Sequence, residues 1–378
     1  MSNLLIKGGK LLAPHNGYYY NELDILLEDG MIKEIGENLS KQGNEVLELD
    51  GEIVAPGFID IHTHCYKGKS LIGTKADVIG IQRGTTTIFD AGTSGALNYD
   101  DFKVSSINKS KTHIYTFLNI SDWGLNSLSE LRDLQEINEE RIIKKVEENR
   151  HNILGIKARA SASVVGENGI IPIIMGKKIA KHAQLPLMVH IGNYPPDIMD
   201  VINILEKDDI VTHSYHGKKN GLFNENGTLK KEVLAAKERG VKFDVGHGSA
   251  SFSFDTFRVA LKNNFRPDFI STDLYHKNMI EPVGSLLNVI TKLIACGMTL
   301  EECVNKVTYD VAKFFNLNNI GQLKNGSQGD LTIFNVKDCN ESLKDSYGNK
   351  QDIQKKLELK FVVVTGGEES EVFRFNKE

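Results

Sequence analysis

The sequence is poor in several features that would mark other classes of protein. Among 378 residues there are four cysteines, Cys65, Cys296, Cys303 and Cys339, and no two of them form a CxxC pair. Scattered cysteines of this kind read as reduced thiols and point to a cytoplasmic setting. No run of eighteen or more apolar residues occurs, so no membrane-spanning helix is expected. The N-terminal MSNLLIKGGKLLAP has a short apolar patch without the layout of a signal peptide. The net charge is −5 and there is no basic run of the kind that tracks phosphates, so nucleic acid is not expected as a partner. The glycines of HGKKNG lack the strand–glycine–helix arrangement of a phosphate loop. A small-molecule substrate is the expected partner, with assembly into a homo-oligomer left open.

What the sequence does contain is ordinary in amount and distinctive in order. Hydrophobic residues make up 40% and charged residues 25%, enough for a sizeable core. The length suits one large α/β barrel or two medium domains. The start of the chain reads as short strands broken by turn signals: LLIKGGKLL, ELDILLEDG, MIKEIG, NEVLELDG and EIVAPG. The end, with GDLTIFNV, LKFVVVTGG and EVFRFN, is again strand-like. Between them eight apolar runs recur at intervals of about 24 to 40 residues, the scale of a βα unit: GFIDIHTH, TTTIFDAG, HIYTFLNIS, ILGIKARAS, LPLMVHIGN, DIVTHSYHG, VKFDVGHG and PDFISTDLY. Segments such as NEERIIKKVEENRH and KKEVLAAKERG separate them with apolar residues at helical period. The expected fold is α/β, a (β/α)8 TIM-like barrel over residues 55–318. A small β-sandwich would be built from both termini, residues 1–54 plus 319–378.

The ends of these runs carry the chemistry. In APGFIDIHTHCY, His62 and His64 occupy alternate positions, so on a strand both imidazoles project to the same face. Alone, such a pair more often describes polar residues where a strand meets solvent. However, the fourth run ends in Lys157 and Arg159, the fifth in His190, the sixth in His213 and His216, the seventh in His247 and the eighth in Asp273. Six of the eleven histidines therefore fall at one predicted face, the one where barrel enzymes hold their active sites. His62, His64, His190, His213 and Asp273 are a ligand set for zinc or a similar divalent ion. Lys157 ends an apolar strand where a bare ammonium is costly to bury. It reads as an exposed lysine, as a partner of Asp273, or as a carbamate bridging two ions.

The sequence resembles the amidohydrolase superfamily of metal-dependent hydrolases over nearly its whole length. PGFIDIHTH is similar to that superfamily's first-strand signature, and GQLKNGSQGDLTIFN to its return into the small sheet domain. The order His-x-His, Lys, His, His, Asp is similar to its binuclear pattern. The resemblance implies two divalent metal ions, zinc by default. His62, His64 and Asp273 would hold the first, His190 and His213 the second, and carboxylated Lys157 would bridge them. It further implies a bridging hydroxide as nucleophile, with Asp273 as catalytic general base and then acid. KARAS, VHIGN, THSYHG and DVGHG resemble a subgroup often labelled dihydroorotase-like or adenine-deaminase-like, some of whose members resemble deacetylases. One departure is VTYDVAKFF, where Tyr309 and Asp310 replace the usual Asn-Pro pair.

The expected function is thus hydrolysis of an acyl ester or amide, in particular deacetylation of a small acidic substrate. Cyclic amide opening and purine deamination are the alternatives on the same site. A non-catalytic relative would be expected to lack ligands, and here all six positions are filled. Around the ligands, Arg159 is placed to grip a substrate carboxylate or to form a salt bridge in the mouth. His216 and His247 can touch substrate, orient other groups or serve structure, and Tyr194 and Tyr275 can line the pocket. Cys65 should point away and pack, Asp90 should cap a loop, and Cys296 and Cys303 in ACGMTLEEC should share one buried helix face. Selectivity is expected in SYHGKKNGLFNENG, HGSASFSFDTF and YHKNMIEPVGS, loops on a rigid scaffold.

Overall fold

The computed structural model describes residues 3–367 and 369–375. At its centre is a seven-stranded parallel sheet. In chain order its strands are Phe58–Thr63, Thr85–Ala91, His113–Asn119, Ile153–Ala160, Leu187–Ile191, Ile210–Thr212 and Lys242–Phe243, each beside the one before. The eighth apolar run is not a regular strand, yet it reaches both edges of this sheet. Parallel bridges link Phe269 to Asp244 and Leu274 to Thr63. The N–H groups of Val245, His247 and Gly248 donate to the carbonyls of Phe269, Ser271 and Thr272, and Asp273 N–H donates to His62 O at 2.6 Å. The sheet therefore curls round on itself. The eighth run loses strand regularity because a side chain replaces part of its ladder. Asp60, from the first strand, accepts from Thr272 N–H at 3.1 Å and from the Thr272 hydroxyl at 2.5 Å.

Helices cover the outside, and the two expected from periodicity are present as Glu139–Glu148 and Lys231–Glu238. The first begins where the Asn138 side chain accepts from Arg141 N–H at 2.9 Å, a cap worth about 1 kcal/mol, and it buries Ile142 and Val146. ACGMTLEEC does not form one helix face. Cys296 caps the end of helix Leu286–Ala295, the chain turns at Gly297 (φ 114°), and a new helix, Leu300–Lys306, starts with a Thr299–Glu302 capping box and buries Cys303. Inside the sheet, Ile59, Ile61, Phe89, Phe117 and Met188 form an apolar floor closed by Val311, Ala312 and Phe315. The Tyr309–Asp310 departure lies at the start of that closing helix, Tyr309–Phe314.

Residues from both termini form two further sheets. One has four strands in the order Met31–Gly36, Asp24–Glu28, Leu4–Lys7, Glu45–Glu48. The other has six, in the order Glu369–Arg374, Lys350–Gly366, Leu331–Lys344, Ile53–Pro56, Lys10–Ala13, Tyr18–Glu22. They share a core of Leu4, Ile6, Leu11, Ile25, Leu27, Val54, Leu331, Ile333 and Val363. Gly57 joins this part to the first central strand. Its N–H donates to Asp330 O at 2.8 Å, and a Cβ there would stand 2.2 Å from Thr86 Oγ1, so only glycine fits. No helix among the described residues is long and apolar enough to cross a membrane.

Candidate metal centre

Parallel register puts the functional side chains on one level. Asn119 is beside Lys157, Arg159 beside His190, and His190 beside Thr212 along successive strands. His62 and His64 do converge as alternation requires: their Nε2 atoms stand 3.6 and 3.0 Å from Asp273 Oδ1. His213 Nε2 is 3.9 Å from Asp273 Oδ2, and the His190 ring sits edge-on to His213 at 4.3 Å between centroids. His62, His213 and Asp273 each offer a ligand atom, and all three atoms lie within 4.8 Å of one another. Lys157 Nζ is 3.2 Å from His62 Nε2 and 3.2 Å from Met188 Sδ, so the apolar floor begins directly beneath it.

The electrostatics suit a divalent ion. Burial pulls the pKa values of His62 and His190 well down, and that of His213 to about 3, so these imidazoles are neutral and able to coordinate. Burial also lowers Lys157 to about 7, which makes a neutral amine available at neutral pH. Burial alone would push the Asp273 carboxyl up. The hydrogen-bonded His64, with His213 and Lys157 nearby, overcomes this and holds it below the usual carboxylate range. Donor chemistry fixes the tautomers. The Thr212 hydroxyl donates to Asp244 Oδ2 at 2.7 Å, so it must accept from His62 Nδ1–H at 2.8 Å, leaving Nε2 as the lone-pair nitrogen. His213 Nδ1–H donates to Gly246 O at 2.5 Å, and its buried Nε2 has no hydrogen-bond partner. An orphaned, buried imidazole nitrogen facing a carboxylate is what a metal ligand without its ion would show, so the residues fit the group.

Other expected residues have distinct places. Arg159 Nη1 donates to both oxygens of buried Glu130 at 3.0 Å, the salt bridge in the mouth. His216 is buried, its Nδ1 accepts from Lys218 N–H at 3.1 Å, and its Nε2 is without a partner. His247 faces away from the cluster: it stacks on Phe252, and its Nε2 is 2.9 Å from the buried Lys292 Nζ. Tyr194 is 68% exposed on the loop after the fifth strand, while the Tyr275 hydroxyl pairs with Ser249 Oγ at 2.8 Å. Cys65 packs in the main core, and Asp90 caps the neighbouring loops by accepting from Cys65 and Thr93 N–H groups. Sequence reasoning missed Glu130, Asp60, Thr212, Asp244 and Lys218. Asp60 and Asp244 had a signal, a lone carboxylate inside an apolar run (GFIDIH and VKFDVG). Lys218 is half-buried and feels both Asp273 and Arg159.

A curled parallel sheet thus brings four imidazoles, a carboxylate and a buried lysine together at its C-terminal end, and three of these side chains, His62, His213 and Asp273, could hold a metal ion. Residues 53–368 match the amidohydrolase family model, and the chain belongs to that family as a hydrolase. It is 36% identical to a deacetylase from Enterococcus faecalis over 92% of this chain and 93% of that protein. Among solved structures, an adenine deaminase superposes with a TM-score of 0.92 at 33% identity, covering 99% of this chain and 100% of the other. A dihydroorotase superposes with a TM-score of 0.90 at 32% identity, covering 98% and 97%.

Proposed function

We propose that the protein is a binuclear metal-dependent deacetylase that hydrolyses the acyl ester or amide of a small acidic substrate. The observation that carries this reading is the buried Lys157 amine, 3.2 Å from His62 Nε2 and poised to be neutral, inside a cluster of imidazoles. Carboxylated by carbon dioxide with loss of a proton, Lys157 would add a carbamate to His62, His64, Asp273, His190 and His213 as the residues that would hold two divalent ions. The division of labour is a (β/α)8 barrel over 55–318 that holds the chemistry and a β-sandwich from 1–54 and 319–378 that braces it.

Divalent ions bound there, zinc by default, supply Lewis acidity for water activation and carbonyl polarisation. The chain's own residues do the rest. Asp273 Oδ1 rests against His64 and His62, which leaves Oδ2 to accept the water proton and return it to the leaving alcohol or amine. The products are the free carboxylic acid and that alcohol or amine. The Lys218 amine, half-buried and within reach of the field of Asp273 and Arg159, favours an anionic group on the substrate, while Arg159 is already paired with Glu130.

Metal analysis and a turnover screen of metal-replete protein test this. The panel holds O-acetyl and N-acetyl acids, cyclic amides and aminopurines. Acetate release from an acetylated acid, with about two ions per chain in the wild type and fewer in Lys157→Met, is expected. Ring opening or ammonia release would replace the substrate class. That second reading is favoured by the names of the two structural neighbours.

A further inference from the structure

The two longest strands of the structure, Leu331–Lys344 and Lys350–Gly366, pair antiparallel and form an arm. Its base is at Leu331, paired with Pro56 at the N-terminal end of the first central strand. Fourteen residues of strand extend about 40 Å, enough to run the height of the central sheet. On the way the arm crosses helix Leu286–Ala295, where Leu357 N–H donates to Thr291 Oγ1 at 3.2 Å. Its tip, Asp345–Asn349, therefore arrives at the opposite end, where the metal ligands are.

The tip is held by specific bonds. Asp345 is buried; its Oδ1 accepts from Tyr347 and Asn349 N–H groups at 2.8 and 2.9 Å, and its Oδ2 from Phe254 N–H at 3.2 Å. Ser346 N–H donates to Phe252 O at 3.0 Å, its hydroxyl donates to Gly248 O at 2.8 Å, and the same oxygen accepts from Phe252 N–H at 3.2 Å. The Tyr347 hydroxyl accepts from Gly217 N–H at 2.9 Å and donates to Ala250 O at 3.4 Å. One phenol thus ties the loop after the sixth strand to the loop after the seventh. Both loops border the reaction site. Gly217 follows His216, and Gly248 is so close to Asp273 that a Cβ there would stand 2.6 Å from Oδ2.

Resting on the hydrolase reading above, we infer that the arm's tip is a wall of the catalytic pocket and that Ser346 and Tyr347 are positioning residues for substrate. They hold the 247–254 loop and the Gly217 turn against the mouth without touching the reacting atoms. A sheet that would otherwise only brace the fold so contributes to selectivity. The acid end of the substrate would be received between these two loops, beside Lys218 and Arg159.

The test uses full-length, metal-loaded Tyr347→Phe and Ser346→Ala. Amide exchange, read by mass spectrometry without substrate, should rise about five- to tenfold at Gly217 in the first variant and at Phe252 in the second, the loss of one hydrogen bond each. Metal content should stay at the wild-type level. With the acyl substrate from the screen, KM should rise several-fold while kcat stays within about twofold, as expected for lost uniform binding. Unchanged exchange would overturn the inference, and so would loosened loops with a wild-type KM, which would make the tip a brace alone. A screen that finds no acyl substrate defeats the deacetylase reading only; KM is then read with whichever cyclic amide or aminopurine of the panel is turned over, and the same two outcomes decide the positioning role.

Discussion

His213 and Asp273, whose Nε2 and Oδ2 atoms face each other across 3.9 Å, both hold left-handed backbone, with φ of 68° and 54°. Neither is glycine, so each conformation costs on the order of 1 kcal/mol. The cost is offset by one backbone and one side-chain hydrogen bond: Asp273 N–H donates to His62 O, and the His213 imidazole Nδ1–H to Gly246 O. The same twist that strains the two residues turns their side chains out of the sheet ladder and toward one point.

The first prediction concerns Asp273 itself. Asparagine keeps its size but cannot take up a proton. Turnover of Asp273→Asn should fall about 100- to 10,000-fold, with metal bound more weakly. Steady-state kinetics beside metal analysis of the same preparation check this. Near-normal turnover would remove Asp273 from its role as general base.

A second prediction tests the residues behind the ligands. The Thr212 hydroxyl links His62 Nδ1–H to Asp244, whose own pKa burial pushes up to about 7. Thr212→Val deletes that link at nearly constant volume. Metal affinity should drop about 10- to 100-fold, measured by competition with a chelator. An unchanged affinity would mean that the imidazole is oriented by packing alone.

How much of this was legible in the sequence follows from the range of each interaction. His62 and His64 could be read because strand alternation is local, and the ends of the fourth to eighth runs because a βα repeat sets their level. The sheet residues of both termini could be read as strands for the same reason. The irregular eighth run could not, because Asp60, 212 positions earlier, takes its backbone N–H. Glu130 was hidden because nothing near it in sequence marks it as the partner of Arg159. The tip DSYGN has turn-forming residues and no other local signal; only the length of the paired strands places it on the 247–254 loop. The break at Gly297 inside ACGMTLEEC carried a local signal, glycine followed by the Thr299–Glu302 capping pair, that the cysteine spacing obscured.

A third prediction concerns Gly248, with φ of 55° beside Asp273 Oδ2. An added methyl group in Gly248→Ala would have to displace the carboxylate or the loop, and a shift of about 1 Å at reacting groups can cost about 100-fold in rate. We expect kcat to fall by about that factor with the fold retained by circular dichroism. Wild-type kcat would show that Asp273 has room to move without loss.

The last prediction is a pH dependence away from the site. His113 Nε2 lies 3.1 Å from Asp330 Oδ2 at the opposite end of the sheet. Burial alone would lower the pKa of this imidazole, but the hydrogen bond and charge of Asp330 outweigh it and raise the value above 6.5. The folded state therefore binds this proton more tightly than the unfolded chain does. Its contribution to stability is fully present below pH 6.5 and is lost as the pH rises through the raised folded value. His113→Asn should lower the melting temperature more at pH 6 than at pH 8.5, by roughly 1–2 °C, with the wild type measured in the same buffers. An equal loss at both pH values would mean that the imidazole acts there only as an uncharged hydrogen-bond partner.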